Sequence, residues 1–122
     1  MTIKFSERFG SFEQISSGRF TPSIQVAASG GGTIYTASDN EIIMTDTATN
    51  DDIMTVKLPL NAVAGDRVMI LDGKDDWSNN NVTVDRNGHN IDGAASDFTC
   101  NVNGGWVEFI YMDSTEGWRT LV

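Results

Sequence analysis

"VTVDRNGHNIDG", Val82–Gly93, holds the only histidine of the 122-residue chain, with Asp85, Arg86 and Asp92 beside it. The fold and the function class both turn on whether this is the centre of a reactive site or the end of a strand. Val82 and Val84 alternate with polar residues, as one face of a strand does, and Asn87-Gly88 is the strongest short turn signal. Ile91 resumes the apolar pattern after the turn. A catalytic histidine needs a nucleophile beside it and a third group that orients its ring. His89 is therefore read as an exposed hairpin-tip residue.

The same strand-and-turn grammar extends in both directions. Runs expected as strands are residues 33–36, 41–46, 53–58, 67–71, 81–85, a short piece around Ile91, 98–102, 106–112 and 118–122. Gly, Asn and Asp clusters separate them. The fold class is all-β: a small sandwich or barrel-like domain, with a β-solenoid as a further arrangement that regular spacing permits. In "VMILD" (Val68–Asp72) Val68 and Ile70 face one way and Met69 and Leu71 the other, and in "WVEFIYM" (Trp106–Met112) both faces are apolar, interrupted only by Glu108. One small domain rarely covers both faces of a sheet, so the second face is expected to meet another subunit; two sheets closing on each other within one chain is the alternative.

Upstream the grammar changes. Residues 1–32 are read as an N-terminal arm ending in a Gly30-Gly31-Gly32 hinge, and residues 33–122 as the β-domain. Through Phe20 the chain carries Lys4, Arg8 and Arg19 against Glu7 and Glu13, whereas the rest has five basic and fifteen acidic residues, a balance of −10. Four of the six phenylalanines, Phe5, Phe9, Phe12 and Phe20, fall in this stretch. Phe5, Phe9, Phe12 and Ile15 have helical spacing, but Gly10, Gly18 and Pro22 favour an irregular, extended arm. Phe5, Phe9, Phe12, Ile15 and Phe20 are the candidate partner-docking residues.

Composition excludes several classes. A net charge of −9 repels phosphate, which argues against nucleic acid and anionic membranes as partners. No apolar run approaches the roughly 20 residues that span a bilayer, and the N-terminus has no apolar core of a signal peptide. One histidine and one cysteine cannot make a zinc set. Cys100 alternates with Phe98 and Val102 and is read as a buried, inert core thiol. Asp72, Asp75 and Asp76 in "LDGKDDW" lack the ligand spacing of a calcium loop and are read as a solvated loop. No P-loop or dinucleotide fingerprint is present, so no cofactor or metal is expected. Counting carboxylates does not by itself dismiss sugar hydrolysis. Trp77, in a polar loop, is the candidate surface contact for a sugar or a neighbouring protein; capping the edge of the core is its alternative role.

From Leu58 onward the chain resembles a recurrent module of bacteriophage virion proteins. The resemblance rests on "LPLNAVAGDRVMILDG" (Leu58–Gly73), "WSNNNVTVDRNGHNIDG" (Trp77–Gly93) and "WVEFIYMDSTEGWRTL" (Trp106–Leu121). Leu-Pro and Gly-Asp-Arg before an apolar strand, Asn-Val-Thr-Val leading to Arg-Asn-Gly and Ile-x-Gly, and a closing Gly-Trp recur in order. They cover about the last half of the chain. The resemblance implies a β-rich, often trimeric structural unit of tail fibres and other virion parts, with no catalytic residues. Two functions follow as expectations. The first is a capsid decoration, or cement, protein that binds the major capsid protein of an assembled head through the arm. The second is a tail-fibre or receptor-binding subunit that touches host glycans. Both place the protein on the virion, as a homotrimer without enzymatic activity. A non-viral sugar-binding β-module is a third, weaker class.

Overall fold

A computed structural model describes residues 23–122. Nine strands follow one another: β1 Ser23–Ala27, β2 Thr33–Thr36, β3 Glu41–Asp46, β4 Met54–Lys57, β5 Arg67–Asp72, β6 Val82–Asp85, β7 Phe98–Cys100, β8 Trp106–Asp113 and β9 Gly117–Leu121. Among the described residues there is no helix. The strands form two mixed sheets. One has the order β1-β3-β5-β8-β9, the other β2-β4-β6-β7.

The first six strands alternate between the two sheets and pair in parallel with the next strand but one. The chain thus winds through three coils. Ser23, Ile42 and Met69 stand in register, so the first coil takes 19 residues and the second 27. The parallel part then ends. β7 returns antiparallel to β6, and β8 and β9 add antiparallel strands beyond β5. The sheets face each other without closing into a barrel, which corrects the barrel-like alternative. A barrel needs its edge strands to pair, and here β1, β2, β7 and β9 each end a sheet.

Alternation builds the core. On the five-stranded sheet Ile43, Ile70 and Val107 share a register row, and Val68 lies beside Phe109. On the other sheet Met54, Val82 and Cys100 share one row, and Val56, Val84 and Phe98 the next. Apart from Phe98, which is half-buried against it, these inward residues, with Leu58, Trp77, Ile91, Tyr111 and Trp118, form one buried cluster. At ~1.5–3 kcal/mol for each large apolar side chain fully buried, this cluster is the dominant favourable term for the body.

Two features differ from the reading of residues 1–32 as arm and hinge. Ser23–Ala27 is the edge strand of the larger sheet, paired with β3, so the body starts ten residues earlier than expected. Gly30-Gly31-Gly32 is a bound corner between β1 and β2. The backbone N–H groups of Gly31 and Gly32 donate to Asp52 Oδ2 at 2.7 and 3.0 Å. A carboxylate that gathers successive N–H groups fixes a turn, which a flexible linker does not have.

Turn chemistry follows the sequence closely. All five described non-glycine residues with positive φ are Asn or Asp: Asn40, Asp51, Asp75, Asn87 and Asp92. Their short polar side chains tolerate the left-handed region. Gly117 is different, because its φ of 69° coincides with a close approach. A Cβ there would strike the backbone of Asn90, whose carbonyl accepts the N–H of Trp118. The Gly-Trp pair thereby pins β9 to the loop after β6.

Candidate docking surfaces

Phe5, Phe9, Phe12, Ile15 and Phe20 lie outside the described residues. Trp77 does not serve as a surface contact. It is 2% exposed, packed in the core cluster, and its indole N–H donates to Thr45 Oγ1 at 2.9 Å. The role as a cap on the core's edge is the one its position fits.

The neighbouring aspartates explain why a polar loop carries a buried tryptophan. Asp72 Oδ2 accepts the backbone N–H groups of Asp76, Trp77 and Gly104 at 2.8, 3.0 and 3.1 Å. Asp76 accepts from Thr47 Oγ1, Asn79 Nδ2 and Asn80 Nδ2. Hydrogen bonds from Asn80 first, then Asn79 and Thr47, hold the Asp76 carboxyl below its ordinary range against a desolvation that opposes them. Both aspartates are buried. They are internal braces of the 72–80 loop, which corrects the solvated-loop reading for these two, while Asp75 between them is exposed. Their oxygens already face donors, and no group of three or more metal-ligating side chains occurs among the described residues.

His89 follows a turn, as expected, with its N–H donating to the Arg86 carbonyl. It is not a free hairpin tip. The ring is half-buried, with Nε2 2.6 Å from the Leu60 carbonyl and Nδ1 3.2 Å from the Tyr111 hydroxyl. A carbonyl only accepts, so Nε2 carries the proton and Nδ1 accepts from Tyr111. The two rings also meet edge to face at 5.1 Å. The loop from Arg86 to Asp97 is too long for a tight hairpin, and Ile91 bridges to Trp118, which draws the loop onto the body. His89 thus ties the loop after β4 to β8.

The described surface offers two places for a partner. One is a cavity of about 440 Å³ beside β7 and β8. Phe98, Cys100, Val102, Trp106, Val107 and one side of Trp77 give it an apolar wall, and Asn101 and Asn103 stand at its rim. Burial, with a smaller contribution from the Asp72 charge, pushes the Cys100 thiol up to about 12. It stays protonated and unreactive at neutral pH.

The other place is the outward face of the five-stranded sheet. Its rows read Gln25–Met44–Leu71–Trp106 and Ile42–Met69–Glu108–Leu121, with Arg67–Ile110–Arg119 following. Trp106 is 49% exposed and Leu121 50%, while Glu108 is only 7% exposed and pairs with Arg67 at 2.6 Å. The outward face of the other sheet carries Ile34, Thr55, Thr83 and Thr99 in one row, and Thr36, Lys57 and Asp85 in another. Water suits that threonine-rich face, whereas the larger sheet presents methionine, leucine, isoleucine and tryptophan.

No protein-family model matches the chain, and a search of curated proteins gave no match either.

Proposed function

We propose that the protein is a non-enzymatic virion structural protein, a capsid decoration protein that attaches to the assembled head through its N-terminal segment. The observation that carries this reading is the division of the chain. The described body builds a continuous core of its own and is strongly acidic, while four phenylalanines and three basic residues precede it. Full burial of four phenylalanines is worth roughly 6–12 kcal/mol before ordering costs, enough to hold a subunit on a shell. The resemblance to virion modules supports the same reading and suggests three copies acting together, with the gain in avidity that this brings.

A second reading rests on Trp106. Its half-exposed ring beside Asn101 and Asn103 pairs an aromatic platform with amides, a chemistry suited to sugars, and a tail-fibre subunit would use it on host glycans. Co-sedimentation separates the two. Full-length protein is mixed with purified heads, with tails and with host envelope fragments. Binding to heads that Phe5→Asp/Phe9→Asp abolishes supports decoration. Binding to envelope that Trp106→Ala abolishes supports the second reading and overturns the first.

A further inference from the structure

We propose that the cavity beside β7 and β8 is a binding site for a small organic cation, held by the Trp106 ring and the Asp75 carboxylate. The inference concerns the free protein and does not rest on the virion reading.

Three observations select this ligand class. The first is the wall. A volume of about 440 Å³ is that of a small-ligand site. The Trp77 ring forms the floor under Gly105, where an added Cβ would come within 3.1 Å of its Cζ3. Trp106 is half-exposed and Phe98 half-buried, so three aromatic rings border the space. The faces of such rings carry partial negative charge and attract a cation.

The second is the placement of Asp75. Gly104 belongs to the lining, and a Cβ there would stand 3.3 Å from Asp75 Oδ1, which puts the carboxylate at the rim. Asp75 is exposed, and among the described residues it meets no hydrogen-bond donor or cation. The loop around it is braced by the internal bonds of Asp72 and Asp76, so the charge is held in position without being neutralised.

The third is the sign of the surroundings. No basic side chain lines the cavity. Arg67, Arg86 and Arg119 pair with Glu108, Asp97 and Asp92. Lys74 stands in a separate hollow with Gln25 and Asp46, and Lys57 lies on the smaller sheet. The Cys100 thiol in the wall, raised first by burial, is raised further by the Asp72 charge. An anion is therefore repelled. A neutral sugar gains from Trp106 and the amides but leaves the Asp75 charge uncompensated. A cation uses both.

The test is a titration of ¹⁵N-labelled full-length protein followed by nuclear magnetic resonance. The probes are choline, its uncharged isostere 3,3-dimethylbutan-1-ol, and methyl glucoside. Choline should shift the Trp106 indole and the Asn101 and Asn103 side-chain amides saturably, while the buried Trp118 indole stays in place and reports the fold. The isostere should bind several-fold more weakly, because it keeps the shape and loses the charge. Asp75→Asn should weaken choline several-fold as well. Asn tolerates the φ of 58° at this position, so the loop is kept. Trp106→Leu should remove the choline-dependent shifts at Asn101 and Asn103. Equal affinity for choline and its isostere would overturn the proposal, as would unchanged choline affinity in Asp75→Asn. Methyl glucoside shifting these signals where choline does not would assign the cavity to neutral sugars and overturn it equally.

Discussion

Trp77 Nε1 donates to Thr45 Oγ1 across 32 positions of sequence, and the same hydroxyl donates to the Leu71 carbonyl. One threonine on β3 therefore anchors both the 72–80 loop and β5. Trp77→Phe keeps most of the packing but loses the indole donor, and should cost about 0.5–1.5 kcal/mol in urea denaturation. Trp77→Ala, which also opens a cavity, should cost about 3–5 kcal/mol. Unchanged stability in both variants would mean that Trp77 is free for an external ligand.

His89→Ala should destabilise by about 1–2 kcal/mol, because the Leu60 carbonyl and the Tyr111 hydroxyl lose a partner and an edge-to-face ring contact disappears. A change below about 0.5 kcal/mol, the usual range for an exposed side chain, would restore the free turn-tip reading.

Gly117→Ala should be the most damaging small substitution in the body. The added methyl has nowhere to go against the Asn90 backbone, and the positive φ disfavours any other residue. A loss above about 4 kcal/mol, or failure to fold, is expected in thermal melts. Gly88→Ala, with open space around it, should cost far less.

The pattern of legible and illegible features has a local cause. β2 and β3 have the bounds that alternation predicts, because period two and Asn/Asp/Gly turns are both written within a few residues. β1 was readable in Ile24, Val26 and Ala28, but the neighbouring glycine run suggests a hinge until Asp52 is seen to hold it. Parallel pairing was not readable. Each strand's partner lies 19 to 28 positions away and belongs to the next coil. The same distance hides Trp77 and His89. Loop composition predicts exposure, and only the stacking of coils brings Thr45 to one and Leu60 to the other.

Stability should hold a plateau across neutral pH and fall at both ends. The Tyr35 phenol is pushed from 10.0 up to about 12 by burial, by its hydrogen bond to Glu41 and by the Glu41 charge, and the Cys100 thiol from 9.0 to about 12. Folded values above unfolded ones mean that their contributions are complete below 9.0 and are lost as pH rises towards 12. Asp46, through its bonds from Thr49, and Asp76 are lowered from 3.8, so their contributions are complete above that value and are lost as the pH falls through the folded values. Melting temperatures across the pH range check both limbs; a step across the neutral range would contradict the assignment.

The most direct measurement is the position of the protein on intact phage particles by cryo-electron microscopy, compared between the native chain and full-length Phe5→Asp/Phe9→Asp. The account predicts density for the acidic β-body on the outside of the head, linked to the major capsid protein by residues 1–22, and loss of that density in the variant. Density on the tail, or a β-body bound to the head through its own loops with residues 1–22 making no contact, would contradict it.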